Sequence, residues 1–154
     1  MIGLLDVNTL VALFDPEHVH HAVAHDWFAE HRVLGWSTCP LSENGLIRVI
    51  SHPKYPGRRT SVEDAVERLM RFRDSGDHTF WADSLSLCDP DRVRLRHLRG
   101  HRQVTDAYLL ALAVANGGRL VTFDRAILAK AVTGASSHNL EILGEALSDD
   151  PEET

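Results

Sequence analysis

Four acidic residues occupy positions in this 154-residue sequence where an ionised side chain is costly. Asp6 and Asp124 each directly follow a short apolar run, and ligands of open α/β sheets bind beyond the carboxyl ends of such strands. Glu43 and Asp106 each head an apolar helical face, because hydrophobic residues follow at helical spacing. A carboxylate directed towards a core is destabilising unless a cation, an arginine or a raised pKa compensates. The positions therefore indicate one acidic site shared by the four side chains.

Each acid, taken singly, also has an ordinary structural explanation. Asp106 lies near a predicted helix N-terminus, where the helix dipole favours a negative charge. Asp6 and Asp124 could form turns or cap helices. The residue pattern alone leaves both interpretations open.

If the acids do form one site, their chemistry selects the metal. Hard oxygen ligands without cysteine or paired histidine favour Mg²⁺ or Mn²⁺ over Zn²⁺. Mg²⁺ commonly binds one or two carboxylates and completes its shell with water and substrate phosphate. Such a cation acidifies a water molecule for attack on a phosphodiester and offsets negative charge in the transition state. The pattern thus points to phosphodiester hydrolysis, with the number of ions left open.

The elements that must position these acids alternate between strands and helices. Short apolar or β-branched runs predict strands at residues 1–5, 33–38, 79–81, 120–123 and 140–143. Helical periodicity predicts helices at residues 10–14, 20–32, 41–51, 105–116 and 125–131. A further helix is predicted to begin at a Thr60/Glu63 capping box and to bury Val62, Val66, Leu69 and Met70 along one side. The alternation predicts an α/β fold with a mostly parallel sheet covered on both faces.

Composition and charge suit one globular domain over residues 1–144, followed by an acidic tail over 145–154 that we expect to be flexible. The net charge is −6, but five acids fall in the tail, so the rest of the chain carries −1. No apolar run reaches the length of a membrane span, and the N-terminus lacks the features of a signal peptide. Two cysteines do not make a disulfide framework, and a reducing cytoplasm is the expected location.

Four segments together resemble the PIN-domain ribonucleases, and most closely the VapC toxins of bacterial toxin–antitoxin pairs. They are LLDVNTLVALF, LSENGLIRVI, VTDAYLLALAVANGGRLVTFD and the YPGR loop. The resemblance extends from residue 1 to about residue 143, and the order and spacing of the four acids match. It implies a three-layer α/β/α sandwich, catalysis and metal binding by Asp6, Glu43, Asp106 and Asp124, and support from Asn8, Thr9 and Thr105.

The resemblance also implies a substrate and partners. Family members use Mg²⁺ or Mn²⁺ to cut structured RNA such as tRNA or ribosomal RNA, and they leave a 5′-phosphate. They commonly form homodimers, and a cognate VapB-like antitoxin blocks the site. Many PIN domains carry another acid shortly after the position of Asp124, whereas Arg125, Ala126 and Ile127 follow here. A second metal position is therefore in doubt.

Two basic groups could contact RNA phosphate, because guanidinium groups match phosphate geometry. They are Arg92, Arg96, Arg99 and Arg102, which we expect on a helix before the Asp106 helix, and Lys54, Arg58 and Arg59 in the YPGR loop. A solvated charged surface is the simpler alternative for the first group. Four histidines near residue 20 suggest zinc, but they lack the catalytic HExxH pattern and a nearby cysteine, so a solvated helix start is favoured: His18, His20, His21 and His25.

Two other functions compete with the ribonuclease. A phosphotransferase of the haloacid-dehalogenase type would use Asp6 as its nucleophile, but Asn8 stands where such sites carry a second aspartate. A non-catalytic RNA- or protein-binding module could keep the same fold, although the intact spacing of the four acids argues against a degenerate site.

Overall fold

The computed structural model describes residues 1–144, which build one parallel sheet. Its five strands are β1 (Gly3–Leu5), β2 (Trp36–Thr38), β3 (His78–Phe80), β4 (Arg119–Thr122) and β5 (Leu140–Ile142). All neighbouring strands are parallel, in the spatial order β3-β2-β1-β4-β5, so β1 is central. The carboxyl ends of the strands therefore lie along one edge of the sheet.

Five α-helices cover the two faces of this sheet. They are α1 (Val7–Phe14), α2 (His21–His31), α3 (Pro40–Ile50), α4 (Val62–Asp74) and α5 (Val104–Ala115). Alternation along the strands divides the core, since Leu5 and Val121 pack against α1 to α4 whereas Leu4 and Leu120 pack against α5. The predicted α/β/α sandwich is confirmed.

Two features position α1 and α3 at the edge where the acids lie. The first sets the start of α1, and the second allows α3 to approach α1 closely. Asp6 ends the run of β1 and caps α1 directly, so no loop separates strand from helix. Gly45 on α3 faces Val7 so closely that an added Cβ would lie 2.4 Å from a valine methyl carbon. Any larger residue at position 45 would push the start of α3 away from α1.

Three predicted local structures are wrong. Residues 125–131 form a loop that ends in a single 3₁₀ turn, Ala129–Ala131, because the Asp124 carboxylate accepts the Ala126 amide and so favours a turn over a helix. The basic segment 92–102 forms no α-helix: Val93 makes an antiparallel bridge with Val132, and short 3₁₀ turns follow at Leu95–His97 and His101–Gln103. Helix α4 is capped by Ser61, whose hydroxyl accepts the amide of Asp64, and not by Thr60.

The buried side of α4 differs from the prediction as well. Ala65 and Leu69 are buried on this helix. Val62, Val66 and Met70 are exposed instead. Within residues 1–144 no helix has the length and apolarity needed to cross a membrane. The predicted acidic tail over 145–154 lies outside the described residues.

Candidate active site

Asp6 is the most deeply buried of the four acids, with 3% of its surface exposed. Its Oδ1 accepts the backbone amide of Thr9 at 2.8 Å, and its Oδ2 accepts the hydroxyl of Thr122. Burial raises the pKa of Asp6, the bonds from Thr122 and Thr9 oppose that rise, and the nearby charge of Asp124 adds to it. Strand β4 and helix α1 thus hold this carboxylate in a fixed position.

Thr122, the last residue of β4, connects Asp6 with Asp124. Its Oγ1 donates to Asp6 and accepts the backbone amide of Asp124 at 3.0 Å. The Asp124 Oδ1 in turn accepts the amide of Ala126 at 2.8 Å. A strand-end threonine and a tight turn therefore orient the second aspartate beside the first.

Asp106 completes a cluster of three aspartates. It lies in the first turn of α5 and is partly buried. Its pKa is raised to about 7, first by burial and then by the neighbouring carboxyl groups of Asp124 and Asp6. Because carboxylates that repel one another in a low-dielectric site favour a proton or a cation, the cluster has the electrostatic character of a cation site.

Glu43 belongs to a separate hydrogen-bonded group beside this cluster. Its Oε2 accepts the Thr38 hydroxyl at 2.6 Å and the Arg73 guanidinium at 3.1 Å. The Thr38 hydroxyl has one proton, which it gives to Glu43, so it accepts from His78 Nε2 at 2.7 Å. Burial, and then the charge of Arg73, lowers the pKa of His78 to about 4, so its imidazole is neutral at physiological pH.

The predicted supporting residues occupy different environments. Thr9 is fully buried, and its hydroxyl donates to the Val121 carbonyl at 3.1 Å while its amide binds Asp6. Asn8 and Thr105 are exposed. The proposed RNA contacts are all exposed as well: Lys54, Arg58, Arg59, Arg92, Arg96, Arg99 and Arg102.

Four residues of the site were missed by sequence reasoning: Thr38, Arg73, His78 and Thr122. Thr38 and Thr122 are the last residues of β2 and β4, so the rule that pointed to Asp6 and Asp124 could also have found them. Arg73 lies 30 residues from Glu43 in the sequence, and His78 lies 40 residues from Thr38, so no local pattern predicts either contact.

The donor set suits a hard cation that keeps most of its water. The three aspartates offer carboxylate oxygens, and burial and mutual repulsion disfavour leaving all of them ionised without a counter-charge. Within the described residues, no group of three or more acidic, histidine or cysteine side chains converges enough to hold a metal by itself. Mg²⁺ and Mn²⁺ fit because one or two carboxylates, water and a substrate phosphate satisfy them.

Comparison with known proteins gives the family. The PIN-domain model matches residues 3–132, a span that includes all four acids. The chain belongs to the PIN-domain family. Its relatives in Mycobacterium tuberculosis (strain H37Rv) include the protein named Ribonuclease VapC44, which is 45% identical over 143 residues, 93% of this chain and all of the relative. Ribonuclease VapC38 of the same strain is 48% identical over 126 residues, 82% of this chain and 87% of the relative.

A third relative extends the same similarity. Ribonuclease VapC39 of strain H37Rv is 41% identical over 134 residues, which are 87% of this chain and 96% of the relative. The resemblance to PIN-domain VapC proteins predicted from the sequence is therefore confirmed. The roles of individual residues in this PIN-domain chain rest on its own geometry.

Proposed function

We propose that this protein is a VapC-type endoribonuclease toxin that depends on Mg²⁺ or Mn²⁺. The observation that carries the proposal is the cluster of Asp6, Asp106 and Asp124 at the carboxyl edge of the sheet, which makes a negatively charged site beside a solvent-exposed surface. The names of the relatives, all ribonucleases, support the same activity. Membership of the PIN family argues against the phosphotransferase alternative.

The aspartates would hold the cation, with Glu43 at the border of the site. Mg²⁺ bound there would supply positive charge next to the scissile phosphate and make a water molecule more acidic. Asp6 is kept in place by Thr9 and Thr122, so it offers an oriented carboxylate without reorganisation. Asp106, whose pKa burial and the two neighbouring carboxyl groups raise to about 7, would be stabilised in its ionised form by the charge of that cation.

The side chains around Glu43 would hold one wall of the site. Arg73 offsets the charge of Glu43, and the bond from Thr38 restricts its rotation. Exposed arginines before α5 and in the YPGR loop would bind the RNA backbone. Such binding needs a local group of positive charges and does not need a net positive charge on the whole protein. We further propose structured RNA, such as tRNA or ribosomal RNA, as the substrate, and the cytoplasm as the place of action.

The test is cleavage of total tRNA and ribosomal RNA by purified protein. Asp6→Asn and Asp106→Asn should each reduce the cleavage rate by about two orders of magnitude or more, since each removes a charge that holds the cation. EDTA should abolish cleavage, and added Mg²⁺ or Mn²⁺ should restore it. Asp26→Asn is the matched control, because the Asp26 side chain is 85% exposed on α2.

Unchanged cleavage by either site variant, with circular dichroism showing an intact fold, would refute the proposal. Sequencing the new 5′ ends that appear in cells after brief induction would identify the RNA and the cut site. Binding of RNA without any product over a range of metals would favour the non-catalytic module.

A cognate VapB-like antitoxin and a homodimer are parts of the same proposal. We expect the antitoxin to be encoded next to this gene, and its co-expression should abolish cleavage and yield a complex that co-purifies. Size-exclusion chromatography with light scattering should give twice the mass of the chain in the absence of that partner. A monomer at micromolar concentration would contradict the dimer without affecting the proposed chemistry.

A further inference from the structure

The histidine-rich segment before α2 places one imidazole on Phe123, the residue between Thr122 and Asp124 in the chain. His20, the residue immediately before α2, stacks on Phe123 with ring centroids 4.6 Å apart and an interplanar angle of 18°. Phe123 lies in the chain between Thr122, which binds Asp6, and Asp124. His20 is therefore stacked on a residue whose two neighbours in the chain, Thr122 and Asp124, belong to the site proposed to cut RNA.

The connection from α1 to α2 is held by hydrogen bonds that position the backbone of His20. The His18 amide donates to the Asp15 carbonyl at 3.0 Å, and the His21 amide donates to the His18 carbonyl at 2.9 Å. The His20 amide donates to His18 Nδ1 at 3.0 Å. These bonds make the segment a defined turn, although His20 itself is exposed to solvent.

Metal binding does not account for this segment. The Nδ1 atom of His21 lies 2.7 Å from the Ala12 carbonyl, so the imidazole donates there and that nitrogen is unavailable as a ligand. Within residues 1–144 no group of three or more histidine, acidic or cysteine side chains is arranged to hold a metal ion by itself, and this holds for the histidines near residue 20. An exposed ring that is supported from behind by a second aromatic ring has another use, since it is a flat surface on which a nucleobase can stack.

We propose that His20, supported by Phe123, stacks on an unpaired base of the RNA next to the scissile phosphate. The proposal rests on the proposed ribonuclease function and adds a binding contact to it. Stacking tolerates any base because every base has a π-face, so the contact selects unpaired over paired RNA and does not read sequence. His20 is thus a substrate-binding residue that lies outside the acidic cluster.

The test measures binding separately from cleavage. RNA hairpins with 2-aminopurine at successive loop positions are titrated with protein in EDTA, where metal-dependent cleavage stops. For at least one loop position, the wild-type protein should quench the fluorescence, and His20→Ala should remove the quenching and weaken binding about tenfold. His20→Phe should retain both properties, whereas His20→Leu should behave like His20→Ala.

Two controls separate stacking from other effects. His25→Ala changes an exposed histidine of α2, the helix that follows His20, and should leave binding and quenching unchanged. A fully paired duplex should bind His20→Ala and wild-type protein equally, because its bases are not available. Thermal unfolding of each variant should match the wild type, since His20 is exposed.

In cleavage assays, His20→Ala should raise KM more than it lowers kcat. Wild-type binding of the hairpins by His20→Ala, or equal loss in His20→Ala and His20→Phe, would overturn the stacking proposal. Absence of cleavage by the wild-type protein would instead overturn the proposed function, because the binding and quenching measurements need no cleavage.

Discussion

Asp6 accepts a hydrogen bond at each of its carboxylate oxygens, from the Thr9 amide and the Thr122 hydroxyl. Asp124 receives one from the amide of Ala126. Around Asp106, in contrast, burial and the two neighbouring carboxyl groups all raise its pKa, to about 7. Protonation or a cation must therefore relieve Asp106, whereas the protein itself partly compensates the other two.

This difference predicts a pH-dependent stability in EDTA. A carboxyl group whose folded-state pKa lies above its unfolded value stabilises the fold at low pH, and that contribution disappears as pH rises through about 7. Relative to Asp106→Asn, which cannot ionise, the wild-type protein should lose on the order of 2 kcal/mol between about pH 5.5 and about pH 8. Urea unfolding of both proteins at each pH measures the difference.

Comparison of the two proteins removes the titration of groups that do not interact with Asp106; the measured difference belongs to Asp106 together with its neighbours Asp6 and Asp124. His78 has a lowered pKa of about 4, so its contribution to stability runs the opposite way and falls as the pH drops below the usual histidine range. Both proteins contain His78, and its effect cancels. If the stability difference between wild type and Asp106→Asn is the same at both pH values, Asp106 does not titrate near neutrality.

At the scale of the elements, Glu43 is where α3, α4, β2 and β3 meet. Arg73 comes from the last turn of α4, Thr38 from the end of β2, and His78 from the start of β3. The Glu43 side chain is only 14% exposed, so its charge needs the arginine more than a surface acid would. The ion pair between Arg73 and Glu43 thus links α4 to α3, and the bond from Thr38 links Glu43 to the end of β2.

Arg73→Met should lower the free energy of unfolding by about 1–2 kcal/mol, because it leaves a largely buried carboxylate without its cation. Arg71→Met is the matched control on the same helix. Arg71 pairs with Glu67 one turn away, but both side chains are more than half exposed, so its loss should cost at most about 0.5 kcal/mol. Urea denaturation measures both variants.

A double variant tests whether Arg73 acts through Glu43. Glu43→Gln in the Arg73→Met background should recover part of the lost stability, because the unpaired charge is gone. Equal destabilisation by Arg71→Met and Arg73→Met, or no recovery in the double variant, would show that the ion pair does not stabilise this region.

The elements that the sequence predicted well are those in which several consecutive or regularly spaced residues are apolar and buried. Strand β4 and helix α5 were found because Leu120 and Val121, like residues 109–113, are apolar and buried. Residues 125–131 also contain apolar side chains, and Ile127 and Ala131 are indeed buried. A side-chain turn at Asp124 decides their backbone, and periodicity cannot detect that bond.

The positions of the acids were accessible to sequence reasoning because they follow from strand ends and helix faces. The division into three aspartates and a separate Glu43 was not, because it depends on Arg73, whose guanidinium reaches Glu43 across 30 residues of sequence. Stacking of His20 on Phe123 likewise joins residues that are distant in the chain. Tertiary contacts of single side chains leave no periodic signal.

At the scale of the whole molecule, charge is unevenly divided between two parts of the chain. Residues 1–144 carry a net charge of −1, and the last ten residues add five acids and no basic residue. The sequence of these last ten residues contains only three apolar side chains, Ala146, Leu147 and Pro151, so its composition offers little to a hydrophobic core. A change in the C-terminal segment should therefore alter the electrostatic repulsion of RNA and leave the stability of the fold unchanged.

A chain that ends after Gly144 should unfold with the same midpoint as the full protein and bind RNA several-fold more tightly at low salt, because five negative charges that repel phosphate are gone. The gain should largely disappear at about 0.5 M salt, where screening acts over a few ångströms. A full-length variant with the five acids changed to Gln or Asn should reproduce the gain, since charge and not length is its cause. Fluorescence anisotropy in EDTA measures binding at both salt concentrations. Weaker binding by the shortened chain, or loss of its cooperative unfolding, would mean that the segment contributes contacts and does not act by charge alone.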